Sequence, residues 1–125
     1  MRSIVFGGTA LVAATFFATV TLAGGSVPRG KAIFARTCNN CHSPQIGVNK
    51  IGPSLWDVIG RKAASVPDFN YSNALKAGSR TWDSVELDRY LSNPRGTLHG
   101  SKMYFKGLPN AQQRADVIAY LSTLK

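Results

Sequence analysis

The chain has 125 residues, 44% of them hydrophobic, and 15 Lys and Arg against 6 Asp and Glu give a formal charge of +9. That length supports a single domain. Two cysteines and two histidines match a structural zinc set in number, but His42 sits beside Cys41, where it could not easily close a tetrahedron.

Arg2 is followed by an uncharged run from Ser3 to Pro28, rich in Ala, Val, Phe and Thr. A basic start and an apolar stretch read as a secretory signal, with cleavage after Thr21-Leu22-Ala23. The run is also long enough to cross a bilayer, which takes about 20 apolar residues. Left uncleaved, it would be an anchor with only Gly24–Pro28 as linker, a tether short enough to pin the domain against headgroups. Residues 1–23 are therefore expected to be a signal peptide or an uncleaved N-terminal anchor. Residues 24–125 are the folded domain, exported to the bacterial periplasm.

The first helix is expected from Pro28 to Thr37, with proline well placed at its start. Gly30, Ile33, Phe34 and Ala35 suit close packing against another helix. Directly after it comes Cys38-Asn39-Asn40-Cys41-His42, a CxxCH run that uses both cysteines of the chain. Two thiols at this spacing each form a thioether to one vinyl group of a c-type haem, and the next residue brings an imidazole to the iron. A disulfide redox site would sit near a βαβ pattern, and no strand alternation surrounds this one. The haem also explains how roughly 100 residues suffice: a chain of that size buries only a modest core, and a flat macrocycle serves as its apolar centre.

Pro44, Gly47, Gly52 and Pro53 punctuate the stretch from Ser43 to Gly60, which reads as loop. A short helix is expected over Ser72–Ala77, ended by Gly78. The next starts near Trp82 or Asp83, carries Leu87, Tyr90 and Leu91 on one face, and stops before Pro94. The last begins after Asn110, with Gln113 three residues on as in a capping box. Val117, Tyr120, Leu121 and Leu124 follow at helical spacing. Between the two long helices lies Gly100-Ser101-Lys102-Met103-Tyr104-Phe105. Met103 is the one methionine beyond the leader, and His99 is the one histidine besides His42. Either a sixth iron ligand or an ordinary gap-filling methionine fits Met103 on composition alone.

Taken together, the chain after Pro28 resembles a class I monohaem c-type cytochrome, of the mitochondrial type and its soluble bacterial counterparts. The likeness rests on Gly30 and Phe34, Cys38, Cys41 and His42, Gly52-Pro53-Ser54-Leu55, Gly60-Arg61-Lys62, Tyr71, Ala74 and Trp82. It continues through Tyr90-Leu91, Asn93-Pro94, Gly100-Ser101-Lys102-Met103, Phe105, Arg114, Asp116 and Tyr120-Leu121. It implies an all-α fold of about four helices and long loops wrapped around one covalent haem c. It also implies axial ligation by His42 and Met103, with the Pro53 carbonyl accepting from the other ring nitrogen of His42. Arg61, Tyr71, Trp82 and Ser101 would hydrogen-bond the haem propionates, since buried carboxylates must be paired. Tyr90 would sit by the Met103 sulfur, and Gly30, Phe34 and Tyr120 would join the first and last helices. The chain departs from the mitochondrial pattern in a loop one residue shorter between His42 and Pro53. Leu75 replaces an asparagine, Ser101 a threonine and His99 a proline.

Iron with both axial positions filled has no place for a substrate, so the resemblance implies a single-electron carrier and no enzyme. A thioether ligand and burial both favour the ferrous state, so the potential is expected to be high for a haem. Loss of Arg2 with the leader lowers the charge to +8. Lys50, Arg95, Lys102 and Lys106 fall in segments expected to rim the haem edge, where positive charge steers an acidic partner. Such a partner is a cytochrome bc-type complex, an oxidase, a photosynthetic reaction centre or a dehydrogenase. Its contact would be small and short-lived. An exported haem domain meets little nucleic acid, whereas attraction to a membrane surface is compatible with electron carriage. A monomer is expected.

Overall fold

The computed structural model describes residues 24–125; the expected signal peptide, residues 1–23, lies outside them. The elements are α1 (Val27–Thr37), β1 (Arg61–Lys62), α2 (Asn73–Ala77), β2 (Thr81–Trp82), α3 (Ser84–Ser92), α4 (Pro94–Thr97) and α5 (Ala111–Leu121). The four expected helices are present, joined by a fifth of one turn and a two-residue strand pair. Among the described residues no helix is long and apolar enough to cross a membrane.

Local chemistry fixes the helix starts. Ser26, Ser72, Asp83, Asn93 and Asn110 each accept a backbone N–H of the following first turn. Ser26 moves the start of α1 one residue ahead of Pro28, which falls in the first turn. Asn93 both ends α3 and caps α4, with its Oδ1 accepting Gly96 N–H at 3.1 Å. Helix α5 stops at Leu121, and Leu124 is buried from the turn beyond it.

Helices α1 and α5 make the most extensive contact of the fold, with α3 also packed on α5. The crossing is close because of glycine. A Cβ on Gly30 would lie 1.9 Å from the Asp116 carbonyl oxygen and 2.9 Å from Tyr120 Cβ. Phe34 then meets Tyr120 edge to face, with ring centroids 5.3 Å apart. Gly30→Ala should gain about 1 kcal/mol of helix propensity. Forcing a backbone carbonyl aside should cost about 3 kcal/mol. The net expectation is a loss of about 2 kcal/mol, read from urea midpoints of the haem-loaded protein; equal midpoints would refute the close crossing.

One buried carboxylate locks this crossing from the side. Asp116 is 3% exposed and accepts Arg29 Nε at 2.9 Å, Ser26 N–H at 2.7 Å and Gln112 Nε2 at 3.0 Å. Those bonds, the Arg29 bond foremost, hold its carboxyl at about 2 against an ordinary 3.8, with burial opposing. A depressed carboxyl stabilises the fold above its unfolded value and loses that contribution as pH falls through the folded one. Wild type should therefore lose stability between 3.8 and about 2. Asp116→Asn should start lower at neutral pH and close the gap across that window. Parallel urea-midpoint curves for the two proteins would refute the assignment.

In the antiparallel pair, Arg61 stands opposite Trp82 and Lys62 opposite Thr81. Partners in register share a face. Trp82 and Arg61 accordingly turn inward while Lys62 and Thr81 are exposed. The core runs from Ile33 and Phe34 through Val58, Trp82, Leu87, Tyr90 and Leu91 to Val117, Tyr120 and Leu121.

Candidate functional site

The end of α1 delivers the cysteine turn. Cys38 caps the helix with its N–H on Phe34 O at 2.9 Å, and the N–H groups of Cys41 and His42 both return to Cys38 O, at 3.1 and 2.9 Å. This fold-back sets both thiols and the imidazole on one tight turn. Cys38 is half-buried and Cys41 exposed. Burial, reinforced by nearby Cys41, pushes the Cys38 thiol up to about 11.

The ring of His42 is fixed by the loop that follows. Its Nδ1 lies 2.8 Å from Pro53 O. A carbonyl can only accept, so Nδ1 carries the proton and Nε2 keeps a bare lone pair. Burial lowers the pKa of this imidazole, the Pro53 bond opposes that, and the charges of Arg61 and Lys50 add to the lowering. Gly52 is required beside it: a Cβ there would fall 2.3 Å from His42 Cε1. The N–H of Gly52 also donates to Cys41 O at 2.7 Å.

On another wall stands Met103. From Ser101 to Lys106 burial alternates residue by residue, as along an extended chain. Ser101, Met103 and Phe105 turn inward, and Lys102, Tyr104 and Lys106 are exposed. The Tyr90 hydroxyl donates to Met103 Sδ at 3.4 Å, and Ser101 Oγ accepts Met103 N–H at 3.1 Å. Burial raises the Tyr90 pKa, with the Ser101 hydroxyl and Arg80 opposing. The ends of this loop are tied where Leu108 N–H meets Leu91 O at 2.7 Å.

The remaining predicted residues are spread around these two walls. Arg61 Nη1 donates to Ser54 O at 3.0 Å and Trp56 O at 2.8 Å. Among the described residues no acceptor meets its Nε or Nη2, so half of the guanidinium fork is open to another oxygen. Tyr71 is buried against Phe69, and its oxygen accepts Val66 N–H at 3.1 Å, leaving its own proton to give. Trp82 packs on Tyr90, ring centroids 4.9 Å apart, under the Arg80 guanidinium. Leu55, Trp56, Ile59, Leu75, Leu98, Met103 and Phe105 line the core's margin, only partly covered by the polypeptide.

A family model described as Cytochrome c matches residues 27–125. The chain belongs to the cytochrome c family. It is 43% identical to the cytochrome c of Euglena viridis over 101 residues, 81% of this chain and 99% of that one. It is 44% identical to cytochrome c2 of Rhodomicrobium vannielii over 114 residues, 89% of each chain. The structure of cytochrome cH from Methylobacterium extorquens aligns with a TM-score of 0.74 at 36% identity, covering 79% of this chain and 99% of that one. Cytochromes c carry one covalent haem c with its iron, and they transfer electrons rather than convert a substrate.

The residues of this cytochrome fit that group. Its paired thiols stand in the CxxCH turn, an imidazole nitrogen is held with its lone pair bare, and a thioether faces inward. Open donors at Arg61 and Tyr71 suit carboxylates, and partly covered apolar side chains suit a flat macrocycle. Three contacts are not foreseen from the sequence. Asn49 Oδ1 accepts Ser54 N–H at 2.9 Å, and Lys50 Nζ straps the loop to Asn39 O at 2.5 Å. Arg95 stacks its guanidinium 4.6 Å above the exposed Tyr104 ring. The alternation of inward residues around Met103 is a signal for the last; nothing local announces the first two.

Proposed function

We propose that this chain is a periplasmic single-electron carrier in which His42 and Met103 hold the iron of the haem attached at Cys38 and Cys41. The observation that carries this reading is the 2.8 Å contact of His42 Nδ1 with Pro53 O, which leaves Nε2 as the ring's one available lone pair. Met103 supports it from the other wall, with its thioether turned inward and held by the Tyr90 hydroxyl. The haem supplies reversible one-electron chemistry at iron when bound. Arg61, Tyr71, Trp82 and Ser101 would hold its carboxylates and exclude water from them. Neither ligand needs to leave during transfer, so the polypeptide serves to hold geometry constant and keep the iron dry.

Exposed Lys50, Arg95, Lys102 and Lys106 give the carrier a basic approach for acidic redox complexes. Residues 1–23 would direct export as a signal peptide cleaved near Ala23, or remain as an anchor. A high-salt wash of membranes separates those two, since a cleaved protein is released and an anchored one stays in the pellet.

The test of the site is the visible spectrum of the oxidised and reduced protein, with carbon monoxide added to the reduced form. A weak far-red iron–sulfur band and inertness to carbon monoxide are expected. Absence of the band with ready gas binding would mean an open iron, and would overturn carriage by a filled site.

A further inference from the structure

Behind the Met103 wall the chain holds a cation mostly out of water. Arg80 lies two residues before Trp82, and its carbonyl accepts Ala63 N–H at 2.8 Å, which carries the strand pairing one residue further. Residues two apart on an extended strand share a face, so Arg80 follows Trp82 toward the core. Its Nη1 donates to Glu86, and the two side chains are only 20% and 19% exposed. Its Nη2 reaches Thr97 O at 3.4 Å, and the guanidinium carbon stands 5.7 Å from the centre of the Trp82 ring. From that ring the contacts continue to Tyr90, centroids 4.9 Å apart, and from the Tyr90 hydroxyl to Met103 Sδ at 3.4 Å. Glu86 also accepts Arg89 Nη2 at 2.9 Å, but Arg89 is 60% exposed and open to screening. Arg95, Lys102 and Lys106 are exposed as well.

An ion pair held partly out of water is a poor device for stability, because desolvation offsets much of its attraction. An apolar side chain could cover Trp82 without that cost. It could not supply a fixed charge close to the ligand wall. We propose that Arg80 sets the reduction potential of the iron through its charge, with Glu86 as the counter-charge that limits how much of it is felt. The proposal deepens the electron-carrier reading above and rests on it for the haem. Oxidation leaves one more positive charge at the iron, and a nearby cation opposes that, so Arg80 favours the ferrous state. Glu86 favours the ferric state by the same argument. A half-dry pair acts with less screening than a surface lysine. The bonds to Glu86 and Thr97 O, with the Trp82 ring beneath, keep the guanidinium from swinging into solvent and so hold its influence constant.

The test is redox titration of the haem-loaded wild type, Arg80→Leu, Glu86→Gln and the double variant, at low and high salt. At an ambient potential that half-reduces wild type, Arg80→Leu is expected to lower the ferrous-to-ferric ratio roughly threefold. Glu86→Gln should raise it by a similar factor, and the double variant should return close to wild type. These shifts should persist at high salt. Arg89→Gln removes an exposed cation from the same carboxylate, and should act less strongly and only at low salt. If Arg80→Leu does not fold, Glu86→Gln decides alone, since a loosened Met103 wall would lower the ratio and cannot raise it. A fall in both single variants would overturn the proposal, because it would make the pair a brace for the wall. Unchanged ratios, or shifts that salt erases, would overturn it too. Carbon monoxide separates the two levels. Unchanged ratios in reduced proteins inert to the gas would overturn the role of Arg80 and leave the carrier reading standing. Opposite shifts in proteins that bind the gas would uphold that role and overturn ligation by Met103.

Discussion

Met103→Ala is expected to convert a reduced protein inert to carbon monoxide into one that binds it readily. Its reduction potential should fall by on the order of 0.2 V, a fraction of the roughly 0.8 V that axial ligands span. The substitution removes one side chain without dismantling its wall. Leu108 still closes the loop on Leu91 O, and Ser101 Oγ still has the N–H of position 103. The Tyr90 hydroxyl loses its acceptor, a smaller effect worth about 1 kcal/mol. Thioether ligation stabilises the ferrous state, so its loss shifts the couple downward. Gas titration and redox titration read the two effects separately. If the variant stayed inert with an unchanged potential, Met103 would be a packing residue, and exposed His99 in the same loop would be the next ligand to examine.

The Cys38→Ala/Cys41→Ala protein, unable to attach haem, is expected to show no cooperative thermal transition. This is the largest stability effect anticipated, on the order of the whole 5–15 kcal/mol of a small domain. Among the described residues the longest helices, α1 and α5, have 11 residues each. Isolated helices shorter than about 12–15 residues are marginal in water. The long segments between α1 and α3 hold only the pair β1–β2 and the short α2. What orders them is a shared apolar centre, which Leu55, Trp56, Ile59, Leu75, Leu98 and Phe105 border while themselves only partly buried. Calorimetry and circular dichroism of the haem-free chain measure this. A sharp transition near that of the loaded protein would show that the polypeptide core is sufficient.

Much of this architecture was legible in the sequence because it is written locally. Caps such as Asn110, the breakers Gly78 and Pro94, and the spacing of Leu87, Tyr90 and Leu91 are each read within one turn of helix. The cysteine turn is equally local. Other features are not. Strands of two residues have no alternation to detect, so the Arg61–Trp82 pairing emerges only when a long loop closes. Pro94-Arg95-Gly96-Thr97 reads as loop from its proline and glycine, and becomes a turn of helix through Asn93. Asp116 looks like any charged residue on a helix, and its burial follows from Ser26 and Arg29 arriving from the far end of the chain. Placing Met103 near Tyr90, and giving Arg61 and Tyr71 a role, required resemblance to a family, because no spacing rule connects residues so distant.

The alternation from Ser101 to Lys106 constrains how such a protein can vary. Inward thioether and outward cations interleave on one stretch, so inserting or deleting a single residue there would exchange them, burying lysine and exposing sulfur. Changes by two would preserve parity. The segment can therefore vary freely in which residues it carries outward, yet its length is quantised. By contrast, the loop between His42 and Pro53 is tied by single bonds at Asn39, Cys41 and Pro53, and obeys no such rule. Length variation should accumulate there, and with it differences in what the surface beside the cysteine turn can grip.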